Sequence, residues 1–236
     1  MSTALTYAIG DIHGCFRKLA DLLRHCREHA GTQDFRFVFL GDYVDRGAHS
    51  REVVTLLMER QASEPERYVC LMGNHEDMLV NAARGENELH WLDNGGDATL
   101  ASYGVRRAQD IPPAHLAWFE RLPLASRDER RFYVHAGIMP GEPLDTQRKE
   151  VLLWIRERFL LDPRDHGLFV VHGHTPTETG LPDLQPNRVN IDTRAWAGGP
   201  LTAAAFDDTT TGPPAFIRDD GRVTRVMRHE TPRPSA

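Results

Sequence analysis

No apolar run in this 236-residue chain approaches 18 residues, so no membrane-spanning helix is encoded. The stretch MSTALTYAIGD has no basic segment followed by a long apolar one, and so does not read as an export signal. Cysteine is scarce: Cys15, Cys26 and Cys70 are an odd number in a mid-sized chain, which points to reduced, buried thiols rather than a disulfide framework. Basic surplus is also missing. A net charge of −6 with no concentrated Lys/Arg run excludes nucleic acid as a structural partner. The first apolar segment is not followed by G-x-G-x-x-G, which argues against a dinucleotide-binding turn. There is no internal repeat and no low-complexity tract. Together these absences predict a soluble, cytoplasmic protein without a membrane partner, and they leave its oligomeric state open.

At 40% hydrophobic content the chain is long enough for one sizeable core. Its rhythm is strand, polar loop, helix. Leu5–Ile9 runs into Gly10-Asp11-Ile12-His13-Gly14, then Phe16, Leu19, Leu22, Leu23 and Cys26 recur at helical spacing over about 15–29. Phe35–Leu40 runs into Gly41-Asp42-Tyr43-Val44-Asp45-Arg46-Gly47. A helix follows to about Gln61, capped by Ser50, burying Val53, Leu56, Leu57 and the stem of Arg60. Arg67–Met72 then leads to Gly73-Asn74-His75-Glu76 and a helix ending near Gly85. Three such units predict an α/β fold with parallel strands, whose polar loops meet at the carboxyl ends.

From 77 to about 130 the pattern turns helical, with a break at Asn94-Gly95-Gly96 and a Pro112-Pro113 start, which predicts a helical insertion beside the cleft. Phe132–Val134 leads into His135-Ala136-Gly137, a helix is expected over 146–160, and Leu168–Val171 leads into His172-Gly173-His174-Thr175. Arg188–Ile191, Leu201–Phe206 and a hairpin joining Ala215–Arg218 to Arg222–Met227 through Asp219-Asp220-Gly221 read as a second sheet. The layout is one domain over 1–228 with a disordered tail at 229–236.

Five of the twelve histidines, His13, His75, His135, His172 and His174, fall in glycine-containing loops directly after strands, with Asp11, Asp42 and Asn74. Singly, such residues are ordinarily turn or cap residues. Their conjunction points to metal. Mixed carboxylate, imidazole and amide ligands suit Mn²⁺, Fe²⁺ or Zn²⁺ better than Mg²⁺, Ca²⁺ or a thiolate zinc site. Two ions about 3.5–4 Å apart clamp a phosphoryl group and generate a nucleophile from water, and a carboxylate must bridge them; Asp42 is the candidate. A histidine oriented by a carboxylate then protonates the leaving oxygen, and guanidinium groups hold the remaining phosphate charge.

In their order, GDIHG (10–14), GDYVDRG (41–47), GNHE (73–76), HAG (135–137) and GHT (173–175) resemble the phosphoprotein phosphatase branch of the calcineurin-like metallophosphoesterases, especially compact bacterial and bacteriophage-type members. The resemblance implies a two-sheet mixed β-sandwich flanked by helices. It implies two divalent ions, Mn²⁺ first with Fe²⁺ or Zn²⁺ as alternatives. Asp11 and His13 correspond to ligands of one ion, Asp42 to the bridge, and Asn74, His135 and His174 to ligands of the other. His75 corresponds to the general acid, paired with Asp45. Arg46 and Arg156 correspond to phosphate-binding arginines, and Asn74 is counted with them as a phosphate contact. Met72 stands where relatives often carry arginine, Arg194 stands where a small glycine is common, and His172 is a candidate behind the ligands. The implied substrate is a phosphorylated protein (phosphoserine or phosphothreonine) or another phosphomonoester. A dinucleoside polyphosphate such as diadenosine tetraphosphate is the alternative, with Trp91, Tyr103 and Trp118 as candidate platforms for a base.

Overall fold

The computed structural model describes residues 5–207, 211–213 and 215–225. The first three strands, β1 (Leu5–Ile9), β2 (Phe35–Phe39) and β3 (Tyr68–Cys70), are parallel, and each is followed by a helix: α1 (Phe16–Ala30), α2 (Ser50–Ser63) and α3 (Asn74–Ala83). Short helices α4 (Glu88–Trp91), α5 (Asp97–Tyr103) and α6 (Pro113–Glu120) follow, and the edge strand β4 (Ala125–Arg127) comes next. Leu92–Gly96, between α4 and α5, is a π-helical turn in which Gly95 has φ 98°. Strands β5 (Arg131–Val134), β6 (Phe169–His172), β7 (Asp183–Leu184) and β8 (Arg188–Asn190) enclose helices α7 (Lys149–Trp154) and α8 (Glu157–Leu160). The described chain ends in β9 (Thr202–Phe206), β10 (Ala215–Arg218) and β11 (Val223–Arg225).

Two mixed sheets result, ordered β11-β10-β9-β1-β2-β3 and β4-β5-β6-β8-β7. Strand alternation explains how they stack. Ala8, Val38 and Leu40 meet Tyr133, Phe169, Val171 and Val189 between the sheets. Tyr7, Ile9, Phe37 and Phe39 turn the other way, into a core shared with Leu19, Leu22 and Leu23 of α1 and Val53 and Leu57 of α2. On the far side Phe132, Val134 and Val170 pack against Leu152 and Phe159 of α7 and α8. The fold is therefore a two-sheet sandwich with helices on both outer faces. Among the described residues no helix is long and apolar enough to cross a membrane, and all three cysteines are free.

Several expectations are corrected. Of the late strands only β7 and β8 join the second sheet; β9 to β11 extend the first, because β9 pairs antiparallel with β1. The helix expected over 146–160 is a 3₁₀ turn at Leu144–Thr146 and two short helices broken at Arg156, whose φ −131° and ψ −110° are not helical. The α2 cap is His49, not Ser50; Ser50 is buried inside the first turn, its hydroxyl 3.2 Å from Thr99 Oγ1, and Arg60 is exposed. The Asp-Gly hairpin forms as expected through Gly221 at φ 81°. Its last two residues and the 229–236 tail lie outside the described residues.

Candidate active site

The loops after β1, β2, β3, β5 and β6 converge at the carboxyl ends of both sheets, and their backbone is unusual. Of seven non-glycine residues at positive φ among the described residues, five are His13, Asp42, Asp45, Arg46 and His174. Such conformations cost of order 1–3 kcal/mol each and persist only where the surroundings enforce them. Close approach adds to the constraint: a Cβ on Gly73 would strike the Asp42 carboxylate, and one on Gly173 the Asp11 carboxylate.

The enforced geometry brings the expected ligands together. Asp11, His13, Asp42, Asn74, His135 and His174 are all buried. Two donor groups, His13/Asp42/His75 and Asp11/Asp42/His135, each lie within 4.8 Å, and both contain Asp42. His13 Nε2 is 3.4 Å from Asp42 Oδ2, and His135 Nε2 is 3.4 Å from Asp42 Oδ1. Asn74 Oδ1 lies 2.7 Å from His135 Nε2 and 2.9 Å from His174 Nδ1. The second nitrogens of two ligands are tied to the backbone, His13 Nδ1 to Val44 O and His135 Nδ1 to Leu40 O, both at 2.8 Å. Donation from Nδ1 leaves each Nε2 unprotonated, with its lone pair available as an acceptor.

The electrostatics fit divalent cations. Burial pushes Asp11 and Asp42 well above the usual carboxylate range; Asp192 raises Asp11 further, and Asp11 and Glu76 raise Asp42 further. Burial likewise lowers His13 and His174 and brings His135 to about 3, so these imidazoles are neutral. Carboxylates and neutral imidazoles gathered in two groups, with an amide oxygen, could hold divalent metal ions.

His75 differs from the ligands in its tether. Its Nδ1 lies 2.7 Å from Asp45 Oδ2, while its Nε2 faces Asp42 Oδ2 at 3.8 Å. Asp45 is held by groups the sequence did not signal in this role. Trp91 Nε1 donates to both of its oxygens at 3.1 and 2.9 Å, and Thr99 Oγ1 donates to Oδ1 at 2.7 Å. Burial pushes Asp45 up to about 8 against the pull of those bonds. Burial, then Arg46, lowers His75. Glu76 is a second supporting residue without an assigned role in the sequence. Its carboxylate accepts from four backbone N–H groups, those of Asp42, Tyr43, Val44 and Gly73, at 2.7–3.3 Å. It thereby clamps the β2 loop to the start of α3.

Arg46 donates from Nη1 to His13 Nε2 at 2.8 Å and from Nη2 to His75 Nε2 at 3.0 Å. Arg156, exposed in the break between α7 and α8, lies 3.5 Å from Thr175 Oγ1 and close enough to lower His135 and His174. Met72 does not face the site: it is buried in the helix-side core. Arg194 is exposed and lies near Asp192, which burial raises to about 6. His172 lies close enough to help lower His174. It packs on Phe159 at 5.1 Å. Trp91, Tyr103 and Trp118 are buried and are not platforms. The tryptophans at the site that do reach solvent are Trp154, edge-on to His174 at 5.9 Å, and Trp196, edge-on to His13 at 6.4 Å.

Comparison with known proteins agrees with this geometry. Residues 5–210 match the calcineurin-like phosphoesterase family, and the chain belongs to it. It is 34% identical over 210 residues to a serine/threonine-protein phosphatase 1 of Salmonella typhimurium, covering 84% of this chain and 90% of the relative. It is 28% identical over 229 residues to a bis(5'-nucleosyl)-tetraphosphatase PrpE (asymmetrical) of Bacillus cereus, covering 86% and 91%. A crystal structure assigned provisionally as a diadenosine tetraphosphatase superposes with a TM-score of 0.64 at 25% identity, covering 96% of this chain and 98% of that one. The chain is a phosphoric ester hydrolase of the phosphoprotein phosphatase branch, in a family that uses divalent metal ions.

Proposed function

We propose that this chain is a dinuclear metal-dependent phosphatase that hydrolyses phosphomonoesters, phosphoserine and phosphothreonine in proteins among them. The observation that carries the reading is the sharing of Asp42 between two buried donor groups, one of which includes His75, a histidine tethered to a carboxylate of its own. Asp11, His13 and Asp42 would hold one ion, and Asp42, Asn74, His135 and His174 the other. When bound, two such ions clamp a phosphoryl group and lower the pKa of water enough to make it a nucleophile; Mn²⁺ suits this mixed donor set, with Fe²⁺ or Zn²⁺ as alternatives.

The chain's own residues supply the rest. Arg46 and Arg156 hold the non-bridging oxygens, and the Asn74 amide NH₂ is a further phosphate contact. His75 donates Nδ1–H to Asp45 and accepts at Nε2 from Arg46. As the phosphate accepts the guanidinium N–H in place of His75, Nε2 is freed to take up a proton from solvent water and pass it to the leaving oxygen. Asp45, fixed by Trp91 and Thr99, stabilises the imidazolium formed in between.

The 34% identity to a serine/threonine phosphatase supports a phosphoprotein substrate. A second reading, cleavage of a dinucleoside polyphosphate, is supported by the solvent-exposed Trp154 and Trp196 flanking the site, which offer faces for a base. The test is hydrolysis by the Mn²⁺-loaded protein of para-nitrophenyl phosphate, a phosphoserine peptide and diadenosine tetraphosphate. Faster turnover of the peptide supports the first reading and faster turnover of the dinucleotide the second. Hydrolysis of none of the three would overturn both.

A further inference from the structure

Beyond offering a face to a base, Trp196 makes contacts of its own at the site. It sits on the turn Ala195–Ala197 after β8, and 44% of its surface is exposed. Its indole ring lies under the Arg46 guanidinium, whose central carbon is 4.9 Å from the ring centroid. The same ring touches His13 edge-on. One side chain therefore contacts both the group assigned to phosphate and a residue assigned to metal.

The turn that carries it is wound tightly. Arg194 enters at φ 63°, Gly198 leaves at φ 89°, and Ala197 N–H and Gly199 N–H both return to Arg194 O, at 3.0 and 2.9 Å. Asp192 Oδ1 accepts from Arg194 N–H at 3.1 Å. Lys18, on α1, donates from Nζ to Ala195 O and to Gly199 O, each at 2.6 Å. The helix that follows the His13 loop thus staples the turn on both sides of Trp196. The backbone on both sides of the Trp196 ring is thus held in one conformation.

We propose that Trp196 is the positioning residue for Arg46, and that Lys18 holds its turn in place. The electron-rich face of the indole attracts the guanidinium and fixes its plane, so that the NH groups point into the site when the phosphate arrives. A guanidinium already oriented loses less freedom on binding. The proposal rests on the reading of Arg46 as a phosphate-binding group.

The test is binding of inorganic phosphate to the Mn²⁺-loaded protein by calorimetry, with kcat and KM alongside. Trp196→Ala should weaken phosphate binding and raise KM by about tenfold, with kcat within about threefold, and Trp196→Phe should restore most of the affinity. Lys18→Met should act in the same direction more weakly. In an Arg46→Ala background, Trp196→Ala should add nothing. In the metal-free protein, the Arg46 Nε–H resonance should lose its ring-current shift in Trp196→Ala. Additive losses in the double variant, unchanged phosphate affinity in Trp196→Ala, or an Arg46 resonance indifferent to the substitution would overturn the proposal. If Arg46→Ala alone left phosphate binding unchanged, the reading of Arg46 would fall and the role of Trp196 with it. A loss in Arg46→Ala with none in Trp196→Ala removes Trp196 alone.

Discussion

The floor of the cleft and its rim are built by different rules. On the floor Asp11, His13, Asp42, Asp45, His75 and His135 are all buried, and Glu76, Trp91, Thr99 and backbone carbonyls hold several of them in place. On the rim Trp154, Arg156, Arg194 and Trp196 are exposed. The floor spends backbone strain and buried polar groups on a single arrangement, as a reaction with fixed stereochemistry requires. The rim consists of side chains that reach into solvent, where substrates of different shape have to be met. On the proposed function, the chemistry belongs to the floor and the choice between a phosphoprotein and a dinucleotide substrate to the rim.

Substitutions can break or sharpen that contrast. Asp42→Asn on the floor should lose about 10³-fold or more in turnover on every substrate, measured at saturating Mn²⁺. His75→Asn should lose about 10²- to 10⁴-fold on alkyl phosphates but under about tenfold on para-nitrophenyl phosphate, whose leaving group needs little proton donation; equal losses on both remove the acid role. Arg46→Ala, between floor and rim, should weaken inhibition by inorganic phosphate about 10- to 100-fold, the loss of charge-assisted bonds.

Glu76→Gln replaces an accepting oxygen by an NH₂ group opposite buried N–H donors. Urea denaturation should show about 1–3 kcal/mol lost for each donor orphaned; unchanged stability would mean that the clamp contributes nothing. The smallest effect belongs to the rim. Trp154→Ala should leave para-nitrophenyl phosphate turnover within about threefold and shift the ratio of peptide to dinucleotide hydrolysis. If it abolished turnover of all three, the division between floor and rim would be wrong.

The candidate metal-binding residues of the floor stood out because each follows an apolar strand in a glycine-containing loop, a place where neither packing nor solubility asks for a carboxylate or an imidazole. The parallel β1-β2-β3 core was readable for the same reason. What supports the floor was not. Trp91 and Thr99 look like ordinary helix residues, and only the π-helical turn with Gly95 swings them onto Asp45 from 46 and 54 positions away. Glu76 stands inside a recognisable motif, but its four N–H partners are spread over two loops. The sheet membership of β9 to β11 was misread because alternation gives a strand's faces and not its neighbour. The pattern over 146–160 read as one helix, since Arg156 breaks it by backbone conformation without a proline or glycine to mark the place.

The central claim is that Asp42 serves two metal ions at once. Equilibrium Mn²⁺ binding, counted per chain by calorimetry with metal analysis, tests it most directly. Two ions are expected in the wild-type protein and at most one held tightly in Asp42→Asn. Two ions bound with undiminished affinity in Asp42→Asn would contradict it.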